Sequence, residues 1–203
     1  MSDKHRKLSM PMKKKIFYLT GFMGSGKSTV GPIIANTLGW DYYDLDSVIE
    51  AKEMMKVSEI FDAKGELYFR NIETEFLSEL SQKEMSIISL GGGTVTVDKN
   101  FDIIKNSGIL IYLKISPETA YERLKYKRDR PILTRDGTVD LEKKEFIGKL
   151  SQLMEKRKSY YESADIIFET EDSSIGLTVD KLVKLMQKYI QSANHLINGK
   201  QSE

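Results

Sequence analysis

Ile16-Phe17-Tyr18-Leu19-Thr20-Gly21-Phe22-Met23-Gly24-Ser25-Gly26-Lys27-Ser28 is the stretch whose reading decides the fold. A short apolar run, Ile16 to Thr20, enters a glycine-rich turn, and a helical pattern from Ser28 to Leu38 follows, closed by Gly39. Gly21 to Ser28 has the spacing G-x-x-x-x-G-K-[ST], in the strand–loop–helix context that gives this motif its meaning. The glycines let the backbone wrap a polyphosphate with N–H groups pointing inward. The helix start adds the positive end of its dipole. Lys27 can reach the β- and γ-phosphates and Ser28 can ligate Mg²⁺, with Gly24, Ser25, Gly26 and Thr29 completing the nucleotide-binding set. The motif identifies a bound nucleotide but not the acceptor, since GTPases, motor ATPases and kinases share it.

Working outward, short apolar runs alternate with longer helical patterns. Strands are expected at Trp40–Asp44, Met85–Leu90, Ile109–Ile115 and Ile166–Glu169. Helices are expected at Ser47–Met55 with Ser47 as N-cap, Val57–Ala63, Glu66–Leu80, Asp98–Asn106, from Ser116-Pro117, Leu141–Ser163 and Leu177–Ile197. Gly65 separates the second and third of these, and Pro32 falls early in its helix, where a missing N–H costs least. Arg128 to Asp140 is polar, contains Pro131 and Gly137, and reads as a long mobile loop. Strands alternating with helices imply a parallel sheet covered on both faces, so the class is α/β.

Asp44-Leu45-Asp46 follows the second strand, at the end where open parallel sheets bind ligands. An extended chain there would aim both carboxylates the same way. One could hold a Mg²⁺-bound water, and the other could orient an acceptor hydroxyl or take its proton. Alternatively, Asp46 caps the next helix and Asp44 is a solvated turn residue.

The chain has 203 residues, 40% hydrophobic and 30% charged, and its 31 basic and 30 acidic residues leave a formal charge of +1. That suits a globular domain with a core, and suggests neither a nucleic-acid surface nor a membrane surface. With no cysteine, disulfides and thiolate sites are excluded, and the two histidines, His5 and His195, lie near the termini. No apolar run reaches the roughly 18 residues that span a bilayer. Met1 to Lys15 is basic and polar and lacks the apolar segment of a secretory signal. The expected organisation is a flexible arm over 1–14, a single domain over 15–197 and a tail over 198–203, in the cytoplasm.

The order GFMGSGKST, DLD, F-x-x-x-G-E-x-x-F-R, a strand into GGG, R-x-R-P and E-K-R-x-x-Y-Y resembles the shikimate kinases, over roughly Lys15 to Thr170. The resemblance implies Mg·ATP-dependent phosphorylation of the shikimate 3-hydroxyl in aromatic amino acid synthesis, by an expected monomer. It also implies a P-loop NTPase fold like that of the nucleoside monophosphate kinases, with a five-stranded parallel sheet in the order 2-3-1-4-5. A shikimate-binding region about 46–80 and a lid about 125–140 would complete it.

Carried over by motif, Asp46 would bind the ring hydroxyls and help activate the acceptor, and Asp44 would sit near Mg²⁺. Arg70 and Arg157 would clamp the carboxylate, with a Glu at position 73 supporting Arg70. Gly91, Gly92 and Gly93 would lie against the substrate. Arg130 would reach the ATP phosphates from the lid, Arg123 would lie near the adenine, and Phe61 and Phe69 would wall the pocket. These assignments make chemical sense. A carboxylate suits an arginine fork, and a glycine run lets backbone approach a ring closely. Gluconate kinase, nucleoside monophosphate kinase and a non-catalytic nucleotide-binding module stay open as alternatives.

Overall fold

The computed structural model describes residues 15–125, 143–170 and 174–198. Strand β1 (Ile16–Thr20) leads into α1 (Lys27–Leu38), β2 (Asp41–Asp44), α2 (Leu45–Glu53) and α3 (Val57–Leu80). There follow β3 (Ser86–Ser89), a 3₁₀ turn (Thr94–Thr96), α4 (Asp98–Ser107), β4 (Ile109–Lys114) and α5 (Pro117–Leu124). The last elements are α6 (Lys143–Glu162), β5 (Ile166–Glu169) and α7 (Ile175–Asn198).

The five strands form one parallel sheet in the order β2-β3-β1-β4-β5, as the resemblance implied. Strand alternation divides the core between two faces. On one face Ile16, Tyr18, Ile88, Leu110 and Tyr112 pack against residues of α2, α3, α4 and α6. On the other, Phe17, Leu19, Ile87, Ile111 and Leu113 meet α1 and α7. Trp40 stacks on Phe17 there, ring centroids 5.7 Å apart. A third cluster joins Phe22 and Met23, from the glycine-rich loop, to Ile115, Ala120, Leu124 and Leu150. Both faces of the sheet are therefore covered, which is why its strands carry apolar residues without a polar alternation.

Two local expectations need correction. The second helix begins at Leu45, not Ser47, and its N-cap is Asp44, whose carboxylate accepts the Ser47 N–H at 3.2 Å. A short acidic side chain at that position satisfies a donor the helix leaves open. Consequently the chain is not extended past Asp44, and the alternation that would aim Asp44 and Asp46 the same way ends there. Gly65, as expected, interrupts the helical path: its φ of 82° and ψ of 167° are non-helical and divide α3 into two helical segments across a kink. No helix among the described residues is long and apolar enough to cross a membrane.

Close packing at the start of β4 yields a direct test. A Cβ on Gly108 would lie 2.6 Å from the Ile16 carbonyl oxygen and 2.8 Å from Tyr18 Cε2. Gly148, within α6, has nothing within 4 Å of that position. Gly108→Ala is expected to destabilise the fold by about 1–3 kcal/mol through overpacking. Gly148→Ala, by contrast, is expected to be neutral or to stabilise by up to about 1 kcal/mol. Thermal melts of both variants check this, and equal melting temperatures would contradict it.

Candidate active site

The glycine-rich loop leaves β1 and turns at the carboxyl end of the sheet. Gly24 and Gly26 take φ of 82° and 99°, values open to glycine and strained for other residues. Ser25 N–H returns to the Phe22 carbonyl at 3.1 Å, closing a compact turn. Gly26 then serves as N-cap, so α1 starts at Lys27, and the Thr29 and Val30 N–H groups return to the Gly26 carbonyl at 2.9 Å. Lys27 Nζ donates to the Gly21 and Phe22 carbonyls at 2.8 and 3.4 Å, which holds the ammonium across the loop. Ser28 and Thr29 are exposed in the first turn of α1.

Arg123, on α5, ties this loop to the end of β5. One guanidinium nitrogen donates to the Gly24 carbonyl and another to the Thr170 carbonyl, each at 3.0 Å. Thr170 is buried, and its hydroxyl reaches the Ser25 carbonyl at 3.4 Å. Nothing in the local sequence marked Thr170, which closes the loop's far side.

The second half of the site is built on the glycine run after β3. A Cβ at Gly91 would lie 3.0 Å from Asp46 Oδ1, one at Gly92 would lie 3.1 Å from Arg157 Nη1, and one at Gly93 would lie 3.1 Å from Arg70 Nη2. Each glycine thus faces one of the three charged side chains that sequence reading placed around an acceptor. Arg70 and Arg157 come from α3 and α6, and the run brings them to one place.

Arg70 is oriented from beneath. Its Nη1 donates at 2.8 Å to Glu73, which is only 1% exposed. Glu73 also accepts from the Thr94 hydroxyl at 2.7 Å and the Asn100 amide at 3.3 Å. A buried carboxylate needs such partners. The sequence indicated Glu73 as the support but not Thr94 or Asn100. Phe69 is buried and lies 4.6 Å, centroid to centroid, from the half-buried Phe61. Both pack with Ile60 and Ile72 in the core beside the arginine.

The acidic pair sits between the two halves. Ser28 Oγ donates to Asp44 Oδ2 at 3.4 Å, so a hydroxyl and a carboxylate meet at the start of α1. Asp46 is half-buried, and burial pushes its pKa up from 3.8 to about 6. The neighbouring charges of Asp44, Glu73 and Glu50 push the same way, while the Lys27 ammonium opposes them. Arg130 and the whole Arg128–Asp140 loop lie outside the described residues, as does the 1–14 arm.

Comparison with known proteins identifies the family. The family model for shikimate kinase matches residues 23–191. Shikimate kinase of Chloroherpeton thalassium is 38% identical over 180 residues, 89% of this chain and 96% of that protein. Its counterpart in Chlorobaculum tepidum is 39% identical over 179 residues, 88% and 94% of the two chains. Among solved structures, shikimate kinase from Bacteroides thetaiotaomicron superposes with a TM-score of 0.75 at 29% identity, covering 85% of this chain and 98% of that one. Acinetobacter baumannii shikimate kinase in complex with shikimate gives 0.72 at 31% identity, covering 94% and 97%. A gluconokinase from Sinorhizobium meliloti gives 0.56 at 15% identity, covering 93% and 98%, a likeness of fold alone. With a phosphate-binding loop at one end of its acidic pair and a glycine run faced by two arginines at the other, the chain belongs to the shikimate kinase family.

Proposed function

We infer that the protein transfers the γ-phosphoryl group of ATP to the 3-hydroxyl of shikimate, giving 3-phosphoshikimate and ADP in aromatic amino acid synthesis. The observation that carries this reading is the matched set of Gly91, Gly92 and Gly93 against Asp46, Arg157 and Arg70. Two guanidiniums and a carboxylate around side-chain-free backbone suit a small hydroxylated ring acid. A nucleotide acceptor would need a base pocket and further phosphate contacts, and no observation favours one. All these groups come from one chain, which supports a monomer as the working unit. Use of ATP is consistent with a cytoplasmic location.

In this mechanism the loop amides from Gly24 to Thr29 hold the phosphates, and Lys27 leaves its carbonyl contacts to reach the β- and γ-phosphate oxygens. Arg70 and Arg157 bind the shikimate carboxylate and so fix the ring. Asp46 accepts a hydrogen bond from the 3-hydroxyl and takes its proton as oxygen attacks the γ-phosphorus and the bond to the β-phosphate oxygen breaks. A carboxyl with its pKa near 6 is ionised at neutral pH yet basic enough for that proton. Arg123 braces the loop near the adenine, and Arg130 would offset charge on the transferred group.

Mg²⁺ fits the donors present. Among the described residues no cluster of three or more metal-binding side chains occurs. Nucleotide-bound Mg²⁺ needs only one or two protein oxygens beside the phosphates, and the Ser28 hydroxyl and Asp44 carboxylate would provide them. Bound there, the ion would offset phosphate charge.

Lys27→Ala is expected to lower kcat/KM by about 100-fold or more, as loss of a group that meets developing charge does. Arg70→Ala should act mainly on shikimate, raising its KM about 10- to 100-fold, as loss of a charge-assisted hydrogen bond does. Coupled measurement of ADP release with shikimate, gluconate, AMP and UMP tests both variants and the substrate; no shikimate-dependent ADP release would end the reading.

Asp46→Asn should abolish turnover and yet stabilise the metal-free protein. The raised pKa means that the folded state resists ionising this carboxyl. The penalty is absent below about pH 4, grows as the carboxyl ionises, and is complete above about pH 6. The variant should therefore gain about 1–3 kcal/mol over the parent at pH 7.5 and little at pH 4. Denaturant melts at the two pH values check the sign; a gain that is larger at low pH would refute it.

A further inference from the structure

The two arginines of the acceptor site are held in different ways. Arg70 is paired with carboxylates, Glu73 at 2.8 Å and Glu66 at 3.6 Å. Arg157 rests its Nη1 on a neutral group, the Gly92 carbonyl, at 3.1 Å. That carbonyl has a second donor, the Tyr161 hydroxyl at 2.6 Å. Tyr161 is 1% exposed, and its ring is stacked on Tyr112 with centroids 4.9 Å apart and planes 20° apart. Arg157 and Tyr161 are four residues apart on α6, so one helix face delivers both donors to one oxygen. Tyr160 is turned elsewhere, its hydroxyl on Asp98 Oδ1 at 3.2 Å and its ring edge-on to Phe101.

The difference matters when an acid enters. A carbonyl oxygen has two lone pairs, and here both are used. For Arg157 to aim its fork at a carboxylate, its Nη1 must leave or share Gly92. A closed pocket makes an unpartnered carbonyl costly. Tyr161 removes that cost, because its ring is wedged in the core and its hydroxyl cannot follow the guanidinium. Burial also raises the Tyr161 pKa, so the phenol keeps the proton it donates.

We propose that Tyr161 is a positioning residue for the acceptor: its fixed hydroxyl holds the Gly92 carbonyl so that Arg157 can exchange that carbonyl for the acceptor's carboxylate. Resting on the shikimate reading above, this adds a device to it. Arg70 is a standing half of the clamp, and Arg157 is the half that moves, with Tyr161 as its substitute on the backbone.

Calorimetric titration of the full-length protein with shikimate and, separately, with ADP tests this in the parent, Tyr161→Phe, Arg157→Lys and the double variant. Tyr161→Phe keeps the ring on Tyr112 and removes only the donor. It is expected to weaken shikimate binding about tenfold, the effect of one hydrogen bond, with ADP affinity held within about twofold. The double variant should lose less than the product of the two single losses, since both act through one oxygen. Shikimate affinity unchanged in Tyr161→Phe, or strictly multiplicative losses, would overturn the proposal. Equal weakening of both ligands with a lowered melting temperature, or a variant that does not fold, would show a merely structural role and overturn it as well. A parent protein that binds ADP but no shikimate would instead sink the acceptor reading, and this inference with it.

Discussion

The absence of side chains at three successive positions is the constraint on which the rest of the site depends. Gly91, Gly92 and Gly93 put bare backbone at about contact distance from a carboxylate and two guanidiniums. Any Cβ there would push a charged group away, because each would lie at or near 3 Å from an oxygen or nitrogen. The run can sit there because β3 delivers it between β1 and β2, at the carboxyl edge of the sheet. Sheet order therefore decides which helices reach it. α3 supplies one arginine, α6 the other, and the first turn of α2 supplies the acid.

That convergence has an electrostatic cost, and the molecule offsets only part of it. Asp46 shares its surroundings with Asp44, Glu73 and Glu50, and the Lys27 ammonium is the single opposing charge among the named causes. Glu73 is treated otherwise, buried with three donors on its two oxygens. One carboxylate is thus satisfied and rigid, and its neighbour is left strained and basic. Such inequality between close acids is how one fold assigns different tasks to the same functional group.

Much of this was legible in the residues. The loop motif between an apolar strand and a helix fixed the nucleotide end, and alternating elements fixed a parallel sheet. Strand order was not legible from periodicity and came through resemblance, because hydrophobic period says nothing about which strands are neighbours. The acidic pair was found but its geometry was misjudged, since Asp44 is both a strand end and a helix cap and only the cap fixes where the chain turns. Thr94, Asn100 and Thr170 were invisible because each acts through a partner distant in sequence. Tyr161 left a usable signal, the four-residue step from Arg157. The adjacent Tyr160 gave a competing reading that only the helix's rotational setting resolves.

Phe22 and Met23 occupy places that the phosphate-loop pattern leaves as wildcards, yet both are buried in a cluster with Ile115, Ala120, Leu124 and Leu150. The loop is therefore moored by hydrophobic ballast as well as shaped by glycine. Positions that a motif spells as free are thus constrained by packing here, so sequence variation at them should track the apolar lining of α5 and α6, with paired changes across the gap. An engineer seeking to graft this loop onto another sheet would have to move that lining with it.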